Sequence, residues 1–356
     1  MSGVGELLAG LDRLLLWIIG VTLALFAVAL GFTLLTLALR WRNDLRARAR
    51  RGLEARWEPA LMRVVVADGR PDEVHALVQP RQRLFFVEYL LRFAQRVRGR
   101  ELEIVREIAA PYLPALREQL QSRHAERRAR ALQTLARLGP RAFAADIAAS
   151  LDDPAPLVAM VAARGLASRE TPEYAGPLVR SVQRFRHWNP AYLASLLTGM
   201  GVEAIPALRQ AFVDGSLDPV ARRVAADALH ALDDIGAGDA AAEAVRIEQD
   251  EELVAASLRL LGRIGRPEHA AVARAALDSR SDLIRARAAH ALGTLGGPQD
   301  LLRLRAAMDD EAPWVGLAAA EALLGGGGVA LLQDAAAAPD GRAALLAHEM
   351  VARRLA

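Results

Sequence analysis

The chain has 356 residues, enough for two or three compact domains or one long repeat array, and is 53% hydrophobic but only 5% aromatic. It contains no Lys and no Cys, which excludes phosphate-loop lysines, Schiff bases, disulfides, thiolate nucleophiles and cysteine metal sites. The net charge of +3 is unevenly spread: residues 1–39 carry −1, residues 40–141 carry +11 from 23 Arg against 12 acids, and residues 142–356 carry −7.

After a short segment, 1–13, the run Leu14 to Leu39 holds no charged residue, and its only polar side chains are Thr22, Thr33 and Thr36. Its 26 residues would make a helix of about 39 Å at 1.5 Å per residue. A hydrocarbon core is about 30 Å thick, so residues 14–39 are expected to form a transmembrane helix. Trp17 and Trp41 sit near its two ends, where interfacial indoles are favoured. The run is too long for a signal peptide and lacks a basic segment before it. Six Arg follow it (Arg40, Arg42, Arg46, Arg48, Arg50, Arg51) and one precedes it (Arg13). That bias places the N-terminus outside and the C-terminal bulk in the cytoplasm.

Residues 40–124 show no period but read as helical: a basic stalk and an N-terminal cap. Asp44 to Trp57 forms an Arg-rich helix, and Glu58-Pro59 is expected to restart the chain toward Val66. Gln82 to Arg98 is amphipathic, with Leu84, Phe85, Val87, Tyr89, Leu90 and Leu91 among Arg. Glu101 to Ala109 and Pro111 to Leu120 are expected to form a further helix pair.

From 125 to 356 a period appears. Leu135, Leu166, Leu197, Leu229, Leu261, Leu292 and Leu323 are spaced by 31 or 32 residues. Four residues before them stand Ala131, Ala162, Leu193, Ala225, Ser257, Ala288 and Ala319, on the same helix face and mostly small enough for close approach. Each period splits in two. Glu252 to Leu261 turns at Gly265-Arg266-Pro267 into His269 to Leu277, and Leu283 to Leu292 turns at Gly296-Gly297-Pro298 into Asp300 to Met308. Asp152-Asp153, Asp218, Ser281 and Asp309-Asp310 stand at the seams, where N-caps are needed. Gly325 to Gly328 reads as an inter-helix turn, and Arg342 to Ala356 as a polar half-repeat.

Helix pairs at this period make an α-solenoid of about seven to eight pairs, so the fold class is all-α. The stretch Asp282-Leu283-Ile284-Arg285-Ala286-Arg287-Ala288-Ala289-His290-Ala291-Leu292-Gly293 resembles HEAT repeats of the short bacterial kind, also found in phycobilin-lyase-like proteins. The chain order of anchor, Arg-rich helix, Trp57-Glu58-Pro59-Ala60-Leu61-Met62, aromatic helix and repeats looks like bacterial inner-membrane HEAT proteins. Those accompany family-2-type glycosyltransferases of exopolysaccharide systems.

No chemistry-bearing motif emerges. The seven His are scattered, with no His-Glu-x-x-His pair, and there is no Gly-x-Ser-x-Gly elbow or dinucleotide fingerprint. No catalytic, cofactor-binding or metal-ligating residue is therefore assigned, and the chain is not expected to be an enzyme. One local departure stands out, Arg184-Phe185-Arg186-His187-Trp188-Asn189-Pro190. Arg with aromatics is typical of interface hot spots, so Arg184, Arg186, His187 and Trp188 are candidate partner-binding residues, though Phe185 and Trp188 could also fill the inter-repeat core. Trp314 is expected in the core. The expectation is a scaffold at the cytoplasmic face of the inner membrane, without nucleic acid or metal. What the resemblance implies as its partner is a glycosyltransferase of an exopolysaccharide complex. The alternatives are a nucleic-acid-binding HEAT protein, opposed by the −7 of the distal part, and a chromophore- or cofactor-lyase-like one.

Overall fold

The structure is a computed structural model. It describes the backbone of residues 2–67, 69–185, 188–338 and 341–355, and their side chains except those of 2–16, 18–24, 27, 43, 46, 354 and 355. All regular elements among the described residues are helices, and the chain divides into two units, Met1–Ile108 and Ala109–Ala356.

The first unit begins with one long helix, α1 (Ser2–Val66), followed by α2 (Pro71–His75), α3 (Arg83–Ala94) and most of α4 (Arg100–Ala109). Pro59 lies inside α1 and does not restart it. A proline there costs an intrahelical bond, but the residues around it hold the helix in place. Trp57, Ala60, Leu61 and Val64 are all buried. The Trp57 ring meets Phe86 edge-on at 5.0 Å and lies 5.6 Å from Phe85 and 5.9 Å from Tyr89. Its indole N–H donates to the Leu77 carbonyl at 3.4 Å. Packing of this aromatic cluster outweighs the local helix-breaking signal.

Among the described residues no single helix is long and apolar enough to cross a membrane. The expected 14–39 span enters that statement only in part, since the side chains of 14–16, 18–24 and 27 lie outside the described residues. One bent pair, Pro190–Gly199 with Val202–Val213, matches by length and composition. Both of its arms bury Leu or Phe side chains in the core of the second unit.

That second unit opens with α5 (Pro114–Arg117) between short 3-10 turns, in place of the continuous helix expected from Pro111. Seven helix pairs follow: α6 (Ala125–Leu138) and α7 (Ala144–Ala149), α8 (Pro156–Leu166) and α9 (Ala175–Ser181), α10 (Pro190–Gly199) and α11 (Ile205–Val213), α12 (Pro219–Ala231) and α13 (Gly238–Ile247), α14 (Glu251–Ile264) and α15 (Ala270–Ala276), α16 (Asp282–Leu295) and α17 (Leu301–Ala307), and α18 (Pro313–Gly325) and α19 (Val329–Ala336). The final α20 (Arg342–Leu355) is an unpaired first helix. This is an all-α solenoid.

The seven leucines that define the period are all at most 1% exposed, and the residues four before them are buried as well. They form the seam along which first helices stack: α6 on α8, then α10 through α20 each on the next. Small residues set the distance. A Cβ on Gly293 would come within 2.6 Å of Ala322 Cβ, one on Gly262 within 3.2 Å of Ala291 Cα, and one on Gly165 within 2.7 Å of Ala136 Cβ. In each case the residue after one repeat leucine meets the residue before the next repeat's leucine. Between α8 and α10 the stack is interrupted. The turn Val182–Phe185 packs there against both α8 and α12, with Phe185 fully buried.

Candidate partner-binding surface

Three of the seams are clamped by charge at one register position. Arg128 donates from Nε and Nη2 to Asp153, both at 2.7 Å, and from Nη1 to the Ser122 carbonyl at 2.8 Å. Arg285 repeats the arrangement: Nε and Nη2 reach Asp310 at 2.8 Å and Nη1 reaches the Ser279 carbonyl at 3.0 Å. Arg222 holds Glu248 at 2.6 Å and the Phe212 carbonyl at 2.9 Å. These three Arg stand seven residues before Leu135, Leu292 and Leu229, so they occupy one register position. The paired guanidinium holds the Asp153 and Asp310 carboxyls below the usual carboxylate range, each helped by a backbone N–H, from Ala155 and Ala312. Along the second helices, Arg209–Asp234 and Arg274–Asp300 form equivalent pairs.

The seam acids expected as N-caps thus do several different things. Asp218 caps α12 by accepting from the Val220 N–H at 2.8 Å. Asp153 and Asp310 accept an N–H two residues on and anchor an arginine. Ser281 stands at the N-cap of α16 without a side-chain capping bond, and its hydroxyl donates instead to Glu251 at 2.7 Å.

The exposed face of the first helices has two strips. Nine residues before the repeat leucines stand Trp188, Val220, Glu252, Leu283 and Trp314, on the consecutively stacked helices α10 to α18 or, for Trp188, just ahead of α10. Trp188 is 41% exposed and stacks on Tyr192 at 6.1 Å, and Trp314 is 54% exposed. Trp314 is therefore not a core residue: it falls at the second position of α18, on the solvent side, and Val315 beside it takes the buried place. With interaxial distances of 8–10 Å, four steps separate the two tryptophans by roughly 32–40 Å. Two residues before the leucines runs a charged strip. Asp227 pairs with Arg259, and Glu321 lies 3.9 Å from His290 and 3.5 Å from Arg353. A groove of about 360 Å³ opens beside the charged strip, lined by Ala191, Ser195, Thr198, Asp227, His230 and Arg259. Burial pushes the His230 and His290 imidazoles down, toward the neutral form.

Of the sequence candidates, Arg184 donates to Asp152 Oδ1 at 3.0 Å and to the Asp153 carbonyl at 2.7 Å, fixing the interrupted seam from within. Trp188 joins the exposed strip, whereas Arg186 and His187 lie outside the described residues. On α1, Trp17, Arg40, Trp41, Arg42, Arg48, Arg50 and Arg51 are exposed, and the Arg46 side chain lies outside the described residues. Arg50 also sits over the Phe85 ring at 5.3 Å, with Arg92 at 5.9 Å from the same ring.

One group offers metal-type ligands, Asp239, Glu268 and His269, whose ligand atoms lie within 4.8 Å of one another. Its ligand atoms are already engaged. Arg266 Nη2 lies 2.8 Å from Asp239 and 2.7 Å from Glu268, while His269 uses Nε2 on Asp239 and Nδ1 on the Arg266 N–H. The arrangement ties one repeat to the next.

Comparison with known proteins agrees at the level of the repeat. A family model for HEAT repeats matches residues 238–324, the stretch from α13 to α18. No curated protein matches. Among solved structures, the karyopherin Kap121p bound to the extreme C-terminus of the phosphatase Cdc14p aligns at 13% identity and TM-score 0.46 over 77% of this chain and 38% of that one. The CpcE–CpcF complex of phycocyanin lyase from Nostoc sp. PCC7120 aligns at 19% identity and TM-score 0.33, covering 68% of this chain and 88% of that one. An engineered protein aligns at 17% identity and TM-score 0.37, covering 80% of each chain. The chain thus spans well under half the length of the karyopherin it is similar to.

Proposed function

We propose that this protein is a scaffold rather than an enzyme, binding a protein partner along the exposed face of its first helices while α1 anchors it in a membrane. The observation that carries the reading is the shared register of Trp188 and Trp314. Two large aromatic side chains stand exposed on one line of an otherwise well-packed array, with half-buried Val220 and Leu283 and the charged Glu252 between them. Exposed aromatics in line are costly to leave in water and are favoured as interface anchors.

The anchor is supported by the described part of α1. From Val28 to Leu39 every residue is exposed, on all sides of the helix. A helix apolar all round needs an apolar medium. The two Thr in this stretch hide their hydroxyls: Thr33 donates to the Ala29 carbonyl and Thr36 to the Thr33 carbonyl, both at 2.8 Å. Self-satisfied polar groups are what a hydrocarbon environment demands. The location we propose is the cytoplasmic face of a bacterial inner membrane. The partner the sequence resemblance favours is a glycosyltransferase of an exopolysaccharide complex.

The test is a mild-detergent pull-down of the full chain beside Trp188→Ala/Trp314→Ala. Recovery of such an enzyme by the native chain, reduced at least tenfold by the double substitution, supports the reading. Equal recovery by both forms removes the strip as the binding surface, and a native chain that recovers no membrane enzyme removes the scaffold reading.

A further inference from the structure

Immediately after the apolar stretch, α1 turns basic without turning amphipathic. Between Arg40 and Gly52 the only acid is Asp44, and Arg40, Arg42, Arg48, Arg50 and Arg51 are all exposed. At 100° per residue these five point at roughly 0°, 200°, 80°, 280° and 20° around the axis, so they encircle the helix. A helix lying in the plane of a bilayer segregates its cations on one face, above an apolar face sunk between the acyl chains. Here neither the apolar stretch nor the basic one has a face.

We propose that these arginines form a collar that binds the phosphates of anionic phospholipids, with α1 passing through the headgroup layer end-on. This rests on the membrane reading above and adds the lipid class and the helix orientation. Three features support it. The collar begins at Leu39, where the exposed apolar stretch ends: Arg40 and Arg42 lie within one turn of it, and Arg48, Arg50 and Arg51 roughly 14–18 Å farther along the axis. Trp41 is exposed within it, at the level where an indole prefers to lie. Guanidinium groups pair with phosphate through two parallel N–H donors, a geometry that survives in the partly dehydrated headgroup layer.

The experiment uses the full chain carrying Trp17→Phe, reconstituted in vesicles where either phosphatidylglycerol or phosphatidylcholine has brominated acyl chains. Bromine quenches the Trp41 fluorescence of a collar seated at the chain–headgroup boundary. The native collar should prefer phosphatidylglycerol at least about fivefold at low salt, falling toward parity in high salt. Arg40→Gln/Arg42→Gln/Arg48→Gln/Arg51→Gln should bring the ratio to about one, with quenching by both lipids retained. Arg50 is left in place because it also packs on Phe85. A native ratio near one, or a preference that the fourfold substitution leaves unchanged, overturns the collar while keeping the anchor. Absence of quenching by either lipid overturns the anchor, and the collar with it.

Discussion

Gly293 and Ala322 hold α16 and α18 at a distance that no side chain on residue 293 could tolerate, since a Cβ there would also lie 2.8 Å from Ala322 Cα. The obstacle is backbone, which cannot rotate away. Gly293→Val should therefore destabilise the solenoid by about 2–3 kcal/mol. Gly325, at the end of α18, has nothing within 4 Å of its Cβ position. Gly325→Ala should be neutral or stabilising, by up to about 0.5 kcal/mol, because the helix gains propensity. Urea denaturation of both variants gives the comparison, and equal midpoints would contradict the close-approach argument.

The Arg285–Asp310 clamp should matter more than its surface neighbours. Asp310→Ala removes a bidentate partner from an arginine with little access to water and also the acceptor for the Ala312 N–H. The expected loss is about 2–3 kcal/mol. Asp309→Ala breaks only the solvated pair with Arg305 and should cost less than about 0.5 kcal/mol. Arg285→Met/Asp310→Ala should recover part of the loss, since no cation is then stranded.

Stability should fall in two stages on acidification. His230 and His290 bind protons less readily folded than unfolded because of burial. The unfolded chain therefore takes up more protons as pH drops below 6.5, and stability declines. Asp153, Asp300 and Asp310 are held low by their arginines, so their contribution is intact above pH 3.8 and is lost as pH falls through their folded values. Both stages carry the same sign. Denaturation midpoints at pH 7.5, 5.5 and 3.5 should decrease monotonically, and His230→Gln/His290→Gln should flatten only the first step. A rise in stability between pH 7.5 and 5.5 would refute the assignment.

Tyr89 should give the opposite edge. Burial, with Glu58 and Glu54 nearby, pushes its phenol up to about 12. Unfolding exposes a group that ionises near 10, so stability in the first unit is complete below that pH and is lost above it. Ultraviolet titration of the folded chain should show one of its tyrosines ionising late, near pH 12. Tyr89→Phe should abolish the late phase.

Most of the solenoid was legible because its signal is redundant. Each unit repeats a buried leucine, a small residue one helical turn earlier and a Gly or Pro break, so no single exception hides the period. The second helices are shorter than their sequences suggest: α15 starts at Ala270 because Pro267–His269 is taken up by a 3-10 turn, and α17 starts at Leu301 for the same reason at Pro298–Asp300. Pro59 misled in the opposite direction, because the cluster around Trp57 lies some thirty residues away in sequence. The clamps were missed because Asp153 and Asp310 read equally well as caps. The signal for them was available in the arginine seven residues before the repeat leucine. Trp314 was misplaced for want of the same register argument, which aligns it with Trp188 on the solvent side.

Clamp strength varies along the array. At the register where α6, α12 and α16 carry Arg128, Arg222 and Arg285, α8 carries Ala159, α10 begins with Pro190, α14 carries Val254 and α18 carries Gly316. Between α8 and α10 contact between successive first helices is sparse, and Val182–Phe185 packs against α8 and α12. Under tension applied along the solenoid axis, extension would concentrate at this joint, with Arg184 as its exposed tie, while the segment from α12 to α20, whose first helices pack each on the next, moved as one lever. A load on a partner seated on the aromatic line would thus be transmitted through that lever and relieved at the joint.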